Sequence, residues 1–334
     1  MRTLLAIVIL AALAWGGWWF FQSSMRDRAL TAWLEERRAA GWVAEAEDVS
    51  VSGFPNRVDS TVTRLSLADP AAGWSWQADA LEILSLSWKP HHIIAALPGQ
   101  QVVSTPYQTL TFDSELLRGS VLFRPNTRLE LDHSTFEIEG MEIVGNSGWT
   151  AGIGEALLAT RQAEGQAFAH DVSFTAENIR LPGELLAATR SEGVLPPAAS
   201  RLALDATMRF DGPWDRSTVE AGSPALLGID VRDVSVTWGS LDLRGRGMLG
   251  VDARGYAEGK LDIRARNWQQ MLDLAERAGA VDPTLAGAIR GGLGLIARLS
   301  GDADAIEVPL AFENGWTRLG PIPVGPAPVL ARRG

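Results

Sequence analysis

Residues Leu4 to Phe21 read LLAIVILAALAWGGWWFF, 18 apolar residues in a row with Arg2 the one charge ahead of them. At ~1.5 Å per residue this makes about 27 Å of helix, close to the ~30 Å hydrocarbon core of a bilayer. No later stretch matches its length and purity, so the rest of the chain has to fold beside a membrane-spanning segment. We read residues 1–24 as a signal-anchor whose Leu4, Leu10, Trp15, Trp18, Trp19 and Phe21 face lipid or its boundary. Ala12-Leu13-Ala14 has the small-residue form of a cleavage site. Cleavage there would leave a Trp- and Phe-rich new terminus, whereas those aromatics suit the membrane–water interface, so an uncleaved anchor is expected. Arg2 before the span nearly balances Arg26 and Arg28 after it. The short head and long tail therefore set the expected orientation: N-terminus cytoplasmic, body on the far side, single pass.

Composition narrows the function classes. A net charge of −10 disfavours nucleic acid, which calls for a basic surface, and it disfavours electrostatic adhesion to anionic lipid. The absence of cysteine excludes disulfides, thiolate catalysis and Cys-ligated metals. Arg supplies 28 of the 30 basic residues but is scattered along the chain, and 13 Trp fall largely in strand-like patterns, where large aromatics fill cores.

Residues 25–41 predict an amphipathic helix continuing from the anchor, with Leu30, Trp33, Leu34 and Arg37 as its stripe and Gly41 as its stop. From residue 42 to 313 the pattern is mostly of period two. Trp74, Trp76, Ala78, Ala80, Leu84, Leu86 and Trp88 alternate with polar neighbours, which places Trp74, Trp76, Leu84, Leu86 and Trp88 on one apolar face, core or groove. Turn signals at Ala68-Asp69-Pro70, Leu97-Pro98-Gly99, Arg124-Pro125-Asn126 and Asp211-Gly212-Pro213 separate such runs. About a dozen strands are expected, antiparallel because the connections are too short for crossovers.

Three helical interruptions are predicted. One is short, from Pro182 to Arg190. The others form a pair: Trp268, Met271, Leu272 and Ala275 mark the first, and Leu285, Ile289, Leu293 and Ile296 the second, with Asp282-Pro283 between. The body reads as one β-rich domain, with two similar halves divided near 196. Residues 314–334 form a proline-rich tail that cannot enter a regular helix or central strand. The fold class is mainly β with minor α: a long curved antiparallel sheet or half-barrel with an apolar concave face, an N-terminal transmembrane helix and a C-terminal helix pair.

Motifs for chemistry are weak. Gly245-Arg246-Gly247-Met248-Leu249-Gly250 matches G-x-G-x-x-G, but turn residues and another alternating run follow where a helix should open. His91 and His92 are adjacent and would point to opposite faces of a strand; His133 and His170 lack a ligand-spaced partner, so loop histidines are expected. Glu137 and Glu139 share a strand face with spacing that suits a glycosidase pair, but alternation of this kind also marks a solvent face. No catalytic, cofactor or metal site is expected, and the chain is read as a non-enzyme.

Val49 to Asp59 (VSVSGFPNRVD), then Trp88-Lys89-Pro90-His91-His92-Ile93-Ile94-Ala95, and finally Gly315 to Pro323 form an ordered set. Together with the single anchor, this set resembles an uncharacterised bacterial envelope family, domain of unknown function 2125, related to the AsmA-like group. The resemblance implies an inner-membrane anchor and a periplasmic β-rich body, and in larger AsmA-like members such a body carries lipid in an apolar groove. The expected partners are then the inner membrane, phospholipid or another acyl-chain ligand, and envelope proteins. The expected function is lipid handling in envelope maintenance. An envelope scaffold with a closed β core is the alternative, and an envelope hydrolase the remote one.

Overall fold

The helix-favouring Leu, Ala and Ile of the apolar run propagate without interruption into the amphipathic stretch that follows. In a computed structural model of the chain, described over residues 1–188, 195–218, 222–300, 302–320 and 322–331, they form one helix, α1 (Arg2–Ala39). It is long and apolar enough to cross a membrane. Gly41, at φ +89°, stops it: the N–H groups of Gly41 and Trp42 turn back to the carbonyls of Arg38 and Arg37, both at 3.0 Å.

The chain divides into two compact units, residues 1–125 with 134–148, and residues 126–133 with 149–334. Position 196 lies inside the second. In the first unit, α1 is followed by β1 (Val43–Glu45), β2 (Asp48–Ser52), β3 (Asp59–Asp69), β4 (Trp74–Leu86), β5 (Lys89–Ala96), β6 (Gln101–Ser104), β7 (Thr109–Asp113), β8 (Leu116–Phe123) and β9 (Leu131–Gly145). All the pairings are antiparallel: β3 lies between β4 and, on its other side, β1 and β2; β5 and β6 share the length of β4, and β8 and β7 continue outward. Leu30 and Leu34 of α1 pack on Val62, Leu65, Leu67, Ala78, Trp74, Trp76 and Leu81 of this sheet.

The sheet face changes phase once. In β3 the buried positions are Ser60 and Val62 on one side of Arg64, then Leu65 and Leu67 on the other, a step of three where a strand steps by two. Arg64 sits in the left-handed region at φ +48°, and the pairing of β3 with β4 keeps one register across it. β4 shifts with its partner, so Ala78 and then Leu81 share the α1-side cluster. Leu84 and Leu86 therefore lie on the opposite face from Trp74 and Trp76, and buried Ser85 takes the inner position. Trp88 stands in the turn between β4 and β5.

In the second unit, β10 (Thr150–Gln162), β11 (Ala169–Arg180), β12 (Ala198–Phe210), β13 (Leu226–Trp238), β14 (Leu241–Val251), β15 (Ala257–Arg266), β16 (Ala305–Glu313), β17 (Trp316–Leu319) and β18 (Ile322–Pro326) form a meander, each antiparallel to the next. The proline-rich segment thus contributes a hairpin at its end. Helix α2 (Gly183–Ala188) lies between β11 and β12; the rest of the expected helix, Thr189 and Arg190, falls outside the described residues. The expected helix pair is present as α3 (Trp268–Arg277) and α4 (Pro283–Ser300). Its buried stripe is Ala286, Ile289, Leu293 and Ala297, packed with Trp268 and Leu272 on Ala265, Ile306 and Val308. The expected Ile296 is 39% exposed, at the edge of the stripe, and Ala297 is the buried residue of that turn.

The described residues hold eighteen strands rather than a dozen. Six of them (β1, β2, β6, β7, β17 and β18) have only three to five residues, too few to stand out as separate runs.

Candidate functional site: an apolar pocket beside the N-terminal helix

Past the strip covered by α1, the same face of the first unit stays open. Trp76 and Leu81 of β4, Ile93 and Ala95 of β5, Leu97 beyond it, Leu117, Gly119, Val121 and Phe123 of β8, and Phe136 of β9 line a concavity of 440 Å³. Alternation produces it: Ile93 and Ala95 of β5 and the odd residues of β8 are apolar, and cross-strand pairs Ile93–Val121 and Ala95–Gly119 set them side by side. Gly119 leaves room for the Phe136 ring. The one charged group at the rim, Arg118, is held by Glu137, its Nε donating to the carboxylate at 2.7 Å. Glu137 is thereby an ion-pair partner. Of the residues expected on one apolar face, the structure brings Trp76 to the pocket and Trp74 to the cluster under α1.

Two turns meet α1 at its aromatic stretch. The Trp15 indole N–H donates to the Pro55 carbonyl at 3.0 Å, that of Trp18 to the Ser87 carbonyl at 3.2 Å, and that of Trp19 to the Arg57 carbonyl. Gln22 adds a second donor to Ser87 at 3.0 Å, and Arg26 donates to the Ser85 hydroxyl at 2.9 Å. Phe54 stacks edge-on against Trp19 with ring centres 5.3 Å apart, and Trp88 lies 6.3 Å from Trp15. The hydroxyl of fully buried Ser87 ties the two turns together through the carbonyls of Pro55 and Asn56. Sequence reasoning placed the Trp residues in the anchor and the Gly-Phe-Pro turn at a strand start, and it missed that they bind each other.

The second unit presents a charged concavity of 310 Å³, lined by Arg232, Arg244, Arg246 and Arg264 against Asp233, Asp262 and Glu307. Arg232 grips Asp205 with two nitrogens and reaches Asp171 and Thr207. The hydroxyl of Thr207 and then the Arg232 charge hold Asp171 below the usual carboxylate range; the Arg232 hydrogen bond does the same for Asp205. Its mixture of signs gives this basin little preference for anions over cations.

The glycine motif lies inside β14, and β15 rather than a helix follows it. Gly247, at φ +147°, sits where a Cβ would run into the Lys260 carbonyl. His91 and His92 are both in β5, His133 in β9 and His170, buried, in β11, all in strands rather than the expected loops. His92 shares a hydrogen bond with the Ser120 hydroxyl at 2.9 Å. Among the described residues no three His, Cys, Asp or Glu side chains are grouped to hold a metal.

A family model described as an uncharacterised protein conserved in bacteria, DUF2125, matches residues 19–328. The chain belongs to this family. The match takes in both turns that dock on α1, the pocket and the helix pair. No curated protein and no solved structure matches the chain.

Proposed function

We propose that this DUF2125 protein is a membrane-anchored carrier or chaperone of acyl-chain ligands, acting in bacterial envelope maintenance. The observation that carries this reading is the apolar pocket beside α1: its 440 Å³ falls within the ~300–1,000 Å³ of small-molecule sites, and its lining is nearly all hydrocarbon. An apolar face left uncovered beside a helix long enough to cross a membrane suits a ligand delivered from the bilayer. In this reading α1 spans the inner membrane once, with the N-terminus cytoplasmic and the body periplasmic, since long domains translocate largely regardless of flanking charge. The relation of this family to the AsmA-like group, expected from the sequence, points the same way. The chemistry is binding and release; no bond is made or broken.

A second reading, an envelope scaffold, draws on the second unit, where the helix pair covers part of the sheet with an ordinary core. Cross-linking in cells that returns one reproducible protein partner, with no lipid, would favour it.

The test is mass spectrometry of lipid retained by the full chain purified in mild detergent, compared with Ala95→Trp, which fills the pocket. Phospholipid held through detergent washing by the native chain and lost in the variant supports the carrier reading. Equal lipid in both overturns it.

A further inference from the structure

The apolar run of α1 ends at Phe21, yet the two turns bind the helix as low as Trp15. Six residues separate these levels, about 9 Å along the axis. If the run from Leu4 to Phe21 fills the hydrocarbon, the Trp15 level lies below its outer boundary, deeper than the ~5–7 Å thickness of one interfacial layer. If instead Trp15 marks the boundary, only Leu4 to Trp15 remain inside, about 18 Å of helix against a core of ~30 Å. The first placement is the one that satisfies the span, and it carries the turns into the membrane with the helix.

The turns have the chemistry this requires. Phe54 is 58% exposed and Trp88 54% exposed, at the tips rather than in a core. In lipid, each backbone carbonyl needs a donor from the protein itself. Those of Pro55, Arg57 and Ser87 have one each from the indoles of Trp15, Trp19 and Trp18. Indoles and exposed aromatics gathered at one level are the make-up of an interfacial belt.

We infer that the Gly53–Arg57 turn and the Trp88 turn are a second membrane-contacting element, seated with α1 in the near leaflet of a phospholipid bilayer, from its interfacial layer down to the Trp15 level. The surface they form takes lipid, not protein. This inference rests on the anchor assignment made above, and it extends that assignment from one helix to the edge of the sheet. It fixes the depth of the first unit: the strand ends at the two turns are held at the leaflet instead of hanging on a tether.

The natural chain has no cysteine, so single-cysteine variants need no background removal. We would label Phe54→Cys, Asn56→Cys and Trp88→Cys in the full chain with an environment-sensitive fluorophore. Each would be reconstituted in phosphatidylethanolamine–phosphatidylglycerol vesicles bearing nitroxide quenchers at the headgroup or at mid-chain. Leu10→Cys serves as the buried control and Tyr107→Cys, 94% exposed, as the aqueous one. The expected result is a blue shift and loss of emission at 54, 56 and 88 with headgroup or mid-chain quenchers, mid-chain quenching at 10, and neither at 107. Quenching at 10 with water-like emission at all three turn positions overturns the inference while leaving the anchor standing. Water-like emission at 10 as well overturns both. Asn56 is exposed, so that variant keeps the test valid if Phe54→Cys or Trp88→Cys folds poorly.

Discussion

Trp18 and Ser87 stand 69 positions apart in the chain, and the indole of the first donates to the carbonyl of the second at 3.2 Å. Ser87 is almost wholly buried, and its own hydroxyl bonds the opposite turn. One residue of α1 is thus wired to the point where two hairpin ends join.

Trp18→Phe keeps an aromatic ring, though a smaller one, and deletes the donor. Because Gln22 also bonds the Ser87 carbonyl, the expected cost is about 0.5–1.5 kcal/mol. Trp19→Phe leaves the Arg57 carbonyl without its indole and thins a buried contact, at about 1–3 kcal/mol. Thermal unfolding of the full chain in detergent micelles should rank Trp19→Phe below Trp18→Phe; the reverse order would contradict this account of the joint.

The helix pair offers a test of phase. Ile289 is 4% exposed and packs on β15 and β16, whereas Ile296 is 39% exposed. Ile289→Ala should lower stability by about 2–5 kcal/mol and Ile296→Ala by less than ~1 kcal/mol. Urea unfolding monitored by circular dichroism measures both, and equal losses would mean the stripe runs through Ile296 after all.

Gly247→Ala should be among the most damaging single changes in the second unit. Its φ of +147° is unavailable to an L side chain, and the added Cβ meets the Lys260 carbonyl across the β14–β15 pair. The expected loss exceeds about 2 kcal/mol, seen as a lowered melting temperature and reduced soluble yield. A stable Gly247→Ala protein would show that the strand can rearrange there.

Protonation should loosen the Arg232 network. Asp171 and Asp205 both have folded-state values lowered beneath the ordinary 3.8, so the stability they contribute is fully present above that value and is lost as pH falls through their lower folded values. Arg232 is 42% exposed and Asp205 50% exposed, which limits the effect of Arg232→Ala to about 1 kcal/mol at neutral pH. Unfolding midpoints of the two proteins should differ at pH 7 and converge in the acid limb below 3.8. A gap that persists in acid would assign the Arg232 contribution to packing of its stem.

The elements most legible in the sequence are those with a long repeat. The apolar run and the stripe through Leu30 and Leu34 announce α1, and the spacing of Trp268, Leu272, Ile289 and Leu293 announces the helix pair. The turn signals at Pro70, Pro98, Pro125 and Pro213 fall between strands as read. Less legible was the phase of β3 and β4. Its signal was present as Val62 followed by Leu65, and Ala78 followed by Leu81, steps of three that a period-two reading passes over. Leu84 and Leu86 were placed on the face of Trp74 for that reason. The pocket was legible only as a dry face, because which strands bring Ile93 beside Val121 is decided by pairing and not by local pattern. The docking of Phe54 and Trp88 on α1 had no local signal at all; it depends on hydrogen bonds between indoles and carbonyls far apart in sequence.

The unbroken course of α1 makes it a rod rather than a leash. With no joint between its apolar half and the half that packs on β3 and β4, any lean of the rod is a lean of the strands bonded to it. A helix with a set apolar length tilts more in a thin bilayer and less in a thick one. In the proposed membrane setting, local bilayer thickness is then a mechanical input, read out as the tilt of the strands bonded to α1.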